Sequence, residues 1–106
     1  MEANTPQNKA SNEFQIPISV NDFEVIETLG KGFHGKVSMA RYKKTGGIYT
    51  IKAIYQNQFQ HNDKIIDFLR EKEILYDLTK RNHPHIVKLF ADFQDAEYLY
   101  LVFEYI

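Results

Sequence analysis

The 106-residue chain has no cysteine and no tryptophan, only three prolines, and no excess of either charge. Without cysteine there is neither a disulfide framework nor a thiol nucleophile, which agrees with an intracellular, cytoplasmic protein. No run is long and apolar enough to span a bilayer, and the first twenty residues lack the apolar core of a secretory signal. Thirteen Lys and Arg stand against fourteen Asp and Glu, and a net charge of −1 argues against non-specific binding to nucleic acid or a membrane surface. His83 and His85 flank a proline with no cysteine and no ligand pair on a helix face, so no metal site is expected. What is present, 43% hydrophobic and 14% aromatic, suffices for one small globular domain without internal repeats.

Glycine is scarce, yet three of the five fall within six residues, at Gly30, Gly32 and Gly35. Glycine lets a backbone approach a ligand closely, and backbone N–H groups so exposed cradle anionic oxygens. On one flank Phe23, Val25 and Leu29 alternate with Glu24 and Thr28, although Ile26 and Glu27 blur the pattern. On the other, Val37 and Met39 alternate with Lys36, Ser38 and Arg41. Both flanks read as strands. Gly30 to Lys36 also fits a P-loop, but the magnesium-holding Ser or Thr is replaced by Val37. A dinucleotide fingerprint needs a helix inside a crossover of a dozen or more residues, and the turn at Lys44-Thr45-Gly46-Gly47 comes too soon. Two readings remain: a glycine-rich hairpin lying over a nucleotide, or an ordinary hairpin with a flexible tip.

Ile48 to Tyr55 reads as a strand buried on both faces, with Lys52 in its middle on the face of Ile48, Thr50 and Ile54. Such a lysine must snorkel, lose its proton or find an anion. Asp63 to Thr79 has a helical period, and Phe68, Ile74, Leu75 and Leu78 lie within about 60° of Glu71 around the axis. Glu71 is therefore expected at the centre of the apolar stripe. A buried Lys52–Glu71 pair would account for both charges together. Two further strands are expected at Val87 to Gln94 and Tyr98 to Tyr105.

Gly30-x-Gly32-x-x-Gly35-x-Val37, a strand lysine and a helix glutamate resemble the small, N-terminal lobe of eukaryotic protein kinases. Arg70-Glu71-Lys72-Glu73-Ile74-Leu75, His83-Pro84-His85-Ile86-Val87-Lys88-Leu89 and Phe93-Gln94-Asp95-Ala96-Glu97-Tyr98-Leu99-Tyr100 resemble the AGC group of serine/threonine kinases, the phosphoinositide-dependent kinase in particular. The resemblance implies an α+β fold, a five-stranded antiparallel sheet with one main helix over residues 21–106, stopping at the hinge. Residues 1–20 would form a disordered or extended tail, in which Phe14, Ile16, Ile18 and Val20 alternate around Pro17. The resemblance further implies that Lys52 and Glu71 form the catalytic pair. Gly30, Lys31, Gly32, Phe33, His34, Gly35 and Lys36 would form the loop over the ATP phosphates. Leu29, Val37 and Thr50 would line the adenine slot, with Phe103 as gatekeeper and the backbones of Glu104 and Ile106 at the adenine edge. Thr50 stands where the family usually has alanine. Phe59, Phe68, Gln94 and Leu99 would match a pocket that takes a hydrophobic-motif peptide.

No H-R-D or D-F-G motif occurs in the sequence, so the ligands of Mg2+ and the platform for the protein substrate would lie in a large lobe that these residues do not include. The lobe by itself is expected to be catalytically inactive. The underside of the sheet, normally covered, would expose Val37, Leu99 and Phe103. The alternative reading is a stand-alone, non-catalytic module that pairs with a kinase large lobe or competes for kinase regulatory partners.

Overall fold

A computed structural model describes residues 9–10, 14, 17–32, 34–59 and 62–105, the side chains of 9, 10, 62 and 63 excepted. Its strands are β1 (Lys9–Ala10), β2 (Phe23–Lys31), β3 (Gly35–Tyr42), β4 (Ile48–Tyr55), β5 (Leu89–Gln94) and β6 (Tyr98–Glu104). Helix α1 (Asn62–Lys80) lies between β4 and β5. The sheet runs β1-β5-β6-β4-β3-β2 with every pair antiparallel. Five long strands and one main helix make the expected small α+β lobe, and the two-residue β1 adds a short sixth strand at the edge.

Local chemistry accounts for the connections. Gly46, at φ +81°, turns β3 into β4, where Gly46 N–H donates to the Tyr42 carbonyl and Tyr42 N–H to that of Gly47. Asp95 turns β5 into β6 by accepting the backbone N–H groups of Glu97 and Tyr98 at 2.9 Å on one oxygen and the Tyr100 hydroxyl at 2.7 Å on the other. Burial pushes the Asp95 carboxyl up, but these three donors outweigh it and hold the group below its ordinary range. Helix α1 is stopped two residues beyond Lys80 by Asn82, whose φ of +56° places it in the left-handed region. There His83 N–H reaches the Leu78 carbonyl and Asn82 N–H that of Thr79, the paired bonds of a Schellman stop, and Pro84 follows.

Register assigns the two faces of the sheet. Tyr49, Ile51 and Ala53 of β4 stand beside Ala40, Val102 and Tyr100 on one face, which carries the core. Two parts of residues 1–20 meet the sheet. Phe14 and Ile18 are only 5% and 2% exposed, and the Phe14 ring lies 4.8 Å from Tyr42, 5.1 Å from Tyr49 and 6.1 Å from Phe23. Phe14 and Ile18 thus form a strap over the core face, because among the described residues no α-helix covers that aromatic face. Lys9 and Ala10 pair with Asp92 and Ala91 of β5. Residues 1–8 and 11–13 lie outside the described residues, as does Ile16.

The opposite face carries Thr50, Lys52, Leu101 and Asp92. Helix α1 packs there against β5. This corrects the expectation that β4 is buried on both faces. Ile51 and Ala53 are buried, whereas Ile48 and Lys52 are exposed, because α1 covers the β5 side of that face.

Candidate functional site

The glycine cluster forms the tip between β2 and β3. Gly32 N–H donates to the Gly35 carbonyl at 2.8 Å, and Tyr55 N–H donates to the His34 carbonyl at 3.0 Å. The His34 ring is exposed, with Nδ1 2.9 Å from Gln58 Oε1. Of the three clustered glycines, only Gly35 needs to be glycine for reasons internal to the protein. A Cβ there would stand 1.8 Å from the Ala53 carbonyl oxygen, whereas at Gly30 and Gly32 it would meet open space.

Two cavities open beside this tip and share Lys52. The first, about 330 Å³, is lined by Gly30, Lys31, Gly32, His34, Gly35, Lys36, Val37, Lys52, Ala53 and Ile54. The second, about 390 Å³, is lined by Leu29, Thr50, Lys52, Val87, Phe103, Glu104 and Tyr105. Every described residue of the sequence-derived binding set borders one or the other; Phe33 and Ile106 lie outside the described residues. The pair can house an elongated ligand with one polyanionic end, because three lysines line the glycine end and apolar side chains the other. Val87, Tyr105, Ala53 and Ile54 were not foreseen. Val87 and Tyr105 read only as strand ends, and their 39% and 46% exposure is what marks them.

The expected Lys52–Glu71 pair is not formed. Both residues are exposed, and no ion pair joins them among the described residues. The enclosed position on α1 is instead Lys72, at 3% exposure. Its Nζ lies 3.3 Å from Asp92 Oδ1 on β5 and over the Phe68 ring at 5.9 Å. Tyr76 donates its hydroxyl to Asp92 Oδ2 at 2.5 Å, and burial, with the Asp92 charge, pushes that phenol well above its ordinary range. One turn on, Thr79 Oγ1 donates to the Leu75 carbonyl and accepts the Leu89 N–H at 2.9 Å. These bonds moor α1 to β5. The helical pattern that fits them was present in the sequence. Ile65, Phe68, Leu69, Leu75, Tyr76 and Thr79 fall within about 60° of Lys72 around the axis, and all are half-buried. Ile74, which supported the stripe centred on Glu71, is 52% exposed.

Leu99, expected on an uncovered underside, is 3% exposed, while Leu29, Ile48, Val87 and Tyr105 are the large apolar groups left open on or beside that face. Phe59 and Phe68 lie ring to ring at 5.0 Å. His83 and His85 face each other at 6.3 Å, and His83 Nδ1 accepts the His85 N–H. Among the described residues no three His, Cys, Asp or Glu converge as a metal site, and no helix is long and apolar enough to cross a membrane.

The site thus combines an antiparallel lobe with one helix, a glycine hairpin and a strand lysine shared by two cavities. Residues 23–106 match the family model described as protein kinase domain, and the chain belongs to that family. Over 96 residues, 90% of its length, it is 43% identical to flippase kinase 1 of Saccharomyces cerevisiae. It is 37% identical over 93 residues, 88% of the chain, to serine/threonine-protein kinase N2 of Danio rerio, and 37% identical over 89 residues, 84% of the chain, to protein kinase C eta type of Homo sapiens. The latter two are AGC-type serine/threonine kinases. The chain spans only 10 to 13% of the length of these relatives.

Proposed function

We propose that this chain is the ATP-binding lobe of a protein serine/threonine kinase, and that the two cavities joined at Lys52 receive ATP. The observation that carries the reading is the coincidence of the sequence-derived set with those linings. The glycine tip and Lys52 would meet the phosphates, the lysine supplying a point charge to the α- and β-phosphoryl oxygens. Leu29, Val37, Thr50, Val87 and Phe103 would enclose the base. The Glu104 N–H is already bonded to the Lys88 carbonyl, which leaves the Glu104 carbonyl to accept from adenine.

Mg2+ supplies charge neutralisation in phosphoryl transfer, but among the lining residues only Glu104 bears a carboxylate. The lobe binds and orients the nucleotide; these 106 residues carry neither the H-R-D nor the D-F-G motif that transfer to a protein hydroxyl uses, and the use of ATP supports an intracellular protein.

The test is equilibrium binding of ATP and of adenosine to the chain and to its Lys52→Met variant. Weaker ATP binding with unchanged adenosine binding is expected. Equal ATP affinity in both chains would overturn the assignment of Lys52. A Thr50→Ala variant is expected to bind both ligands more tightly by removing bulk from the base slot, and no gain would count against that placement.

A further inference from the structure

The glycine hairpin closes on two like charges. Lys31 and Lys36 stand directly opposite each other as the last registered pair of β2 and β3 before the tip. Ammonium groups so placed repel and work to part the strand ends. Among the described residues no ion pair neutralises either one. The mouth of the hairpin therefore needs another hold.

The sheet supplies one on the side away from Lys52. Lys36 pairs with Ala53, and Ala53 with Tyr100, so Lys36 rises on the core face although it also borders the first cavity. Ala53 offers only a methyl, and the Lys36 stem crosses it to bring Nζ over the Tyr98 ring, 5.4 Å from the centroid. The face of an aromatic ring is the negative part of its quadrupole and attracts an ammonium. That ring is itself held in place. It stacks on Tyr55 at 5.1 Å and leans on Tyr100 at 5.6 Å, whose hydroxyl donates to Asp95 at 2.7 Å. Tyr55, Tyr98 and Tyr100 line neither cavity, so nucleotide binding gives no account of this cluster.

We propose that Tyr98 is a positioning residue for the glycine hairpin. By drawing the Lys36 ammonium across β4, it relieves the repulsion between Lys31 and Lys36 and keeps the tip closed. The closed tip is the one in which Gly32 N–H meets the Gly35 carbonyl and Tyr55 N–H that of His34. The consequence for nucleotide binding rests on the ATP-site reading, in which the tip meets the phosphates and not the base.

The first test needs no nucleotide. Amide hydrogen exchange at Gly32 and Tyr55 reports opening of the tip, and exchange at Val102, in the core, reports the global fold. Relative to Val102, Tyr98→Leu is expected to speed the two tip amides by about two- to fivefold, the worth of an exposed cation–π contact. Tyr98→Phe keeps the ring and should leave them as in the parent. In a Lys36→Met background neither the repulsion nor the cation remains, and Tyr98→Leu should no longer speed the tip. A ring that merely packed would act in both backgrounds, so acceleration in both, or none in a folded Tyr98→Leu chain, would overturn the proposal. Should Tyr98→Leu fail to fold, the ε-methylene protons of Lys36 in the parent decide. An upfield ring-current displacement is expected there, and ordinary lysine shifts would overturn the contact. With nucleotide, Tyr98→Leu should weaken ATP binding by about the same two- to fivefold and leave adenosine binding unchanged. An equal loss for both ligands would overturn the action through the phosphate end. A chain that bound no ATP at all would sink the proposed function and leave the exchange result standing.

Discussion

Replacing Lys72 by methionine should be among the most damaging single changes in the domain, although Lys72 touches neither cavity. Its Nζ lies 3.3 Å from Asp92, and side-chain exposures of 3% and 4% leave both charges out of water. At an effective dielectric constant near 20, the attraction at that distance is about 5 kcal/mol. Desolvation costs several kcal/mol for each ion, so the pair contributes little relative to a well-packed apolar one. Removing one partner is different. Asp92 is fixed between β1 and β6 and cannot follow the missing charge into solvent. Lys72→Met is therefore expected to cost about 3–5 kcal/mol, a large share of the roughly 5–15 kcal/mol that holds a domain together. In urea the unfolding midpoint should fall by at least about 1 M. Lys72→Met with Asp92→Leu should return to within about 1 kcal/mol of the parent, giving a coupling energy of several kcal/mol. A Lys72→Met chain destabilised by less than about 1 kcal/mol would refute the reasoning, because Asp92 would then be satisfied without the lysine.

Three further outcomes are expected. Phe14→Ala should lose about 3–5 kcal/mol in denaturant unfolding, since its ring meets Phe23, Tyr42 and Tyr49 in the core; a loss below about 1 kcal/mol would return the segment to a surface tail. Gly35→Ala should lower the melting temperature, because the new methyl meets the Ala53 carbonyl, while Gly30→Ala and Gly32→Ala change it little and weaken ATP binding instead; equal melting temperatures for all three would contradict the packing. Asp95 has a folded pKa below its unfolded value, so its stabilisation is full above about pH 4 and lost as pH falls toward the folded value. Asp95→Asn should thus lose less stability than the parent between pH 7 and pH 3, and equal losses would sink the assignment.

How much of this was readable beforehand depended on whether a feature was local. The glycine tip, the Gly46-Gly47 turn and the extent of β4 follow from local backbone demands, and they stand where the sequence put them. Even the blurred alternation at Ile26 and Glu27 has a local cause, since the β2–β3 register slips by one residue between Val25 and Glu27. Helix α1 was legible as an element, but its rotation was not. Phe68 and Leu75 serve a stripe centred on Glu71 or on Lys72 alike, and the Asp92 that meets Lys72 lies twenty positions on, placed opposite α1 by the β5–β6 pairing. The strap was hidden for a similar reason. Phe14 and Ile18 alternate as any extended segment would, and only the assembled face of Phe23, Tyr42 and Tyr49 gives them something to cover.

The most direct test of the central claim is a map of backbone amide resonances during titration with ATP. The account predicts shifts concentrated at Gly30 to Lys36, Thr50, Lys52 and Phe103 to Tyr105, with those at the glycine tip reduced in Lys52→Met. Shifts confined to other parts of the sheet, or none at millimolar ATP, would contradict the account and leave a kinase-family lobe whose two cavities do not hold its nucleotide.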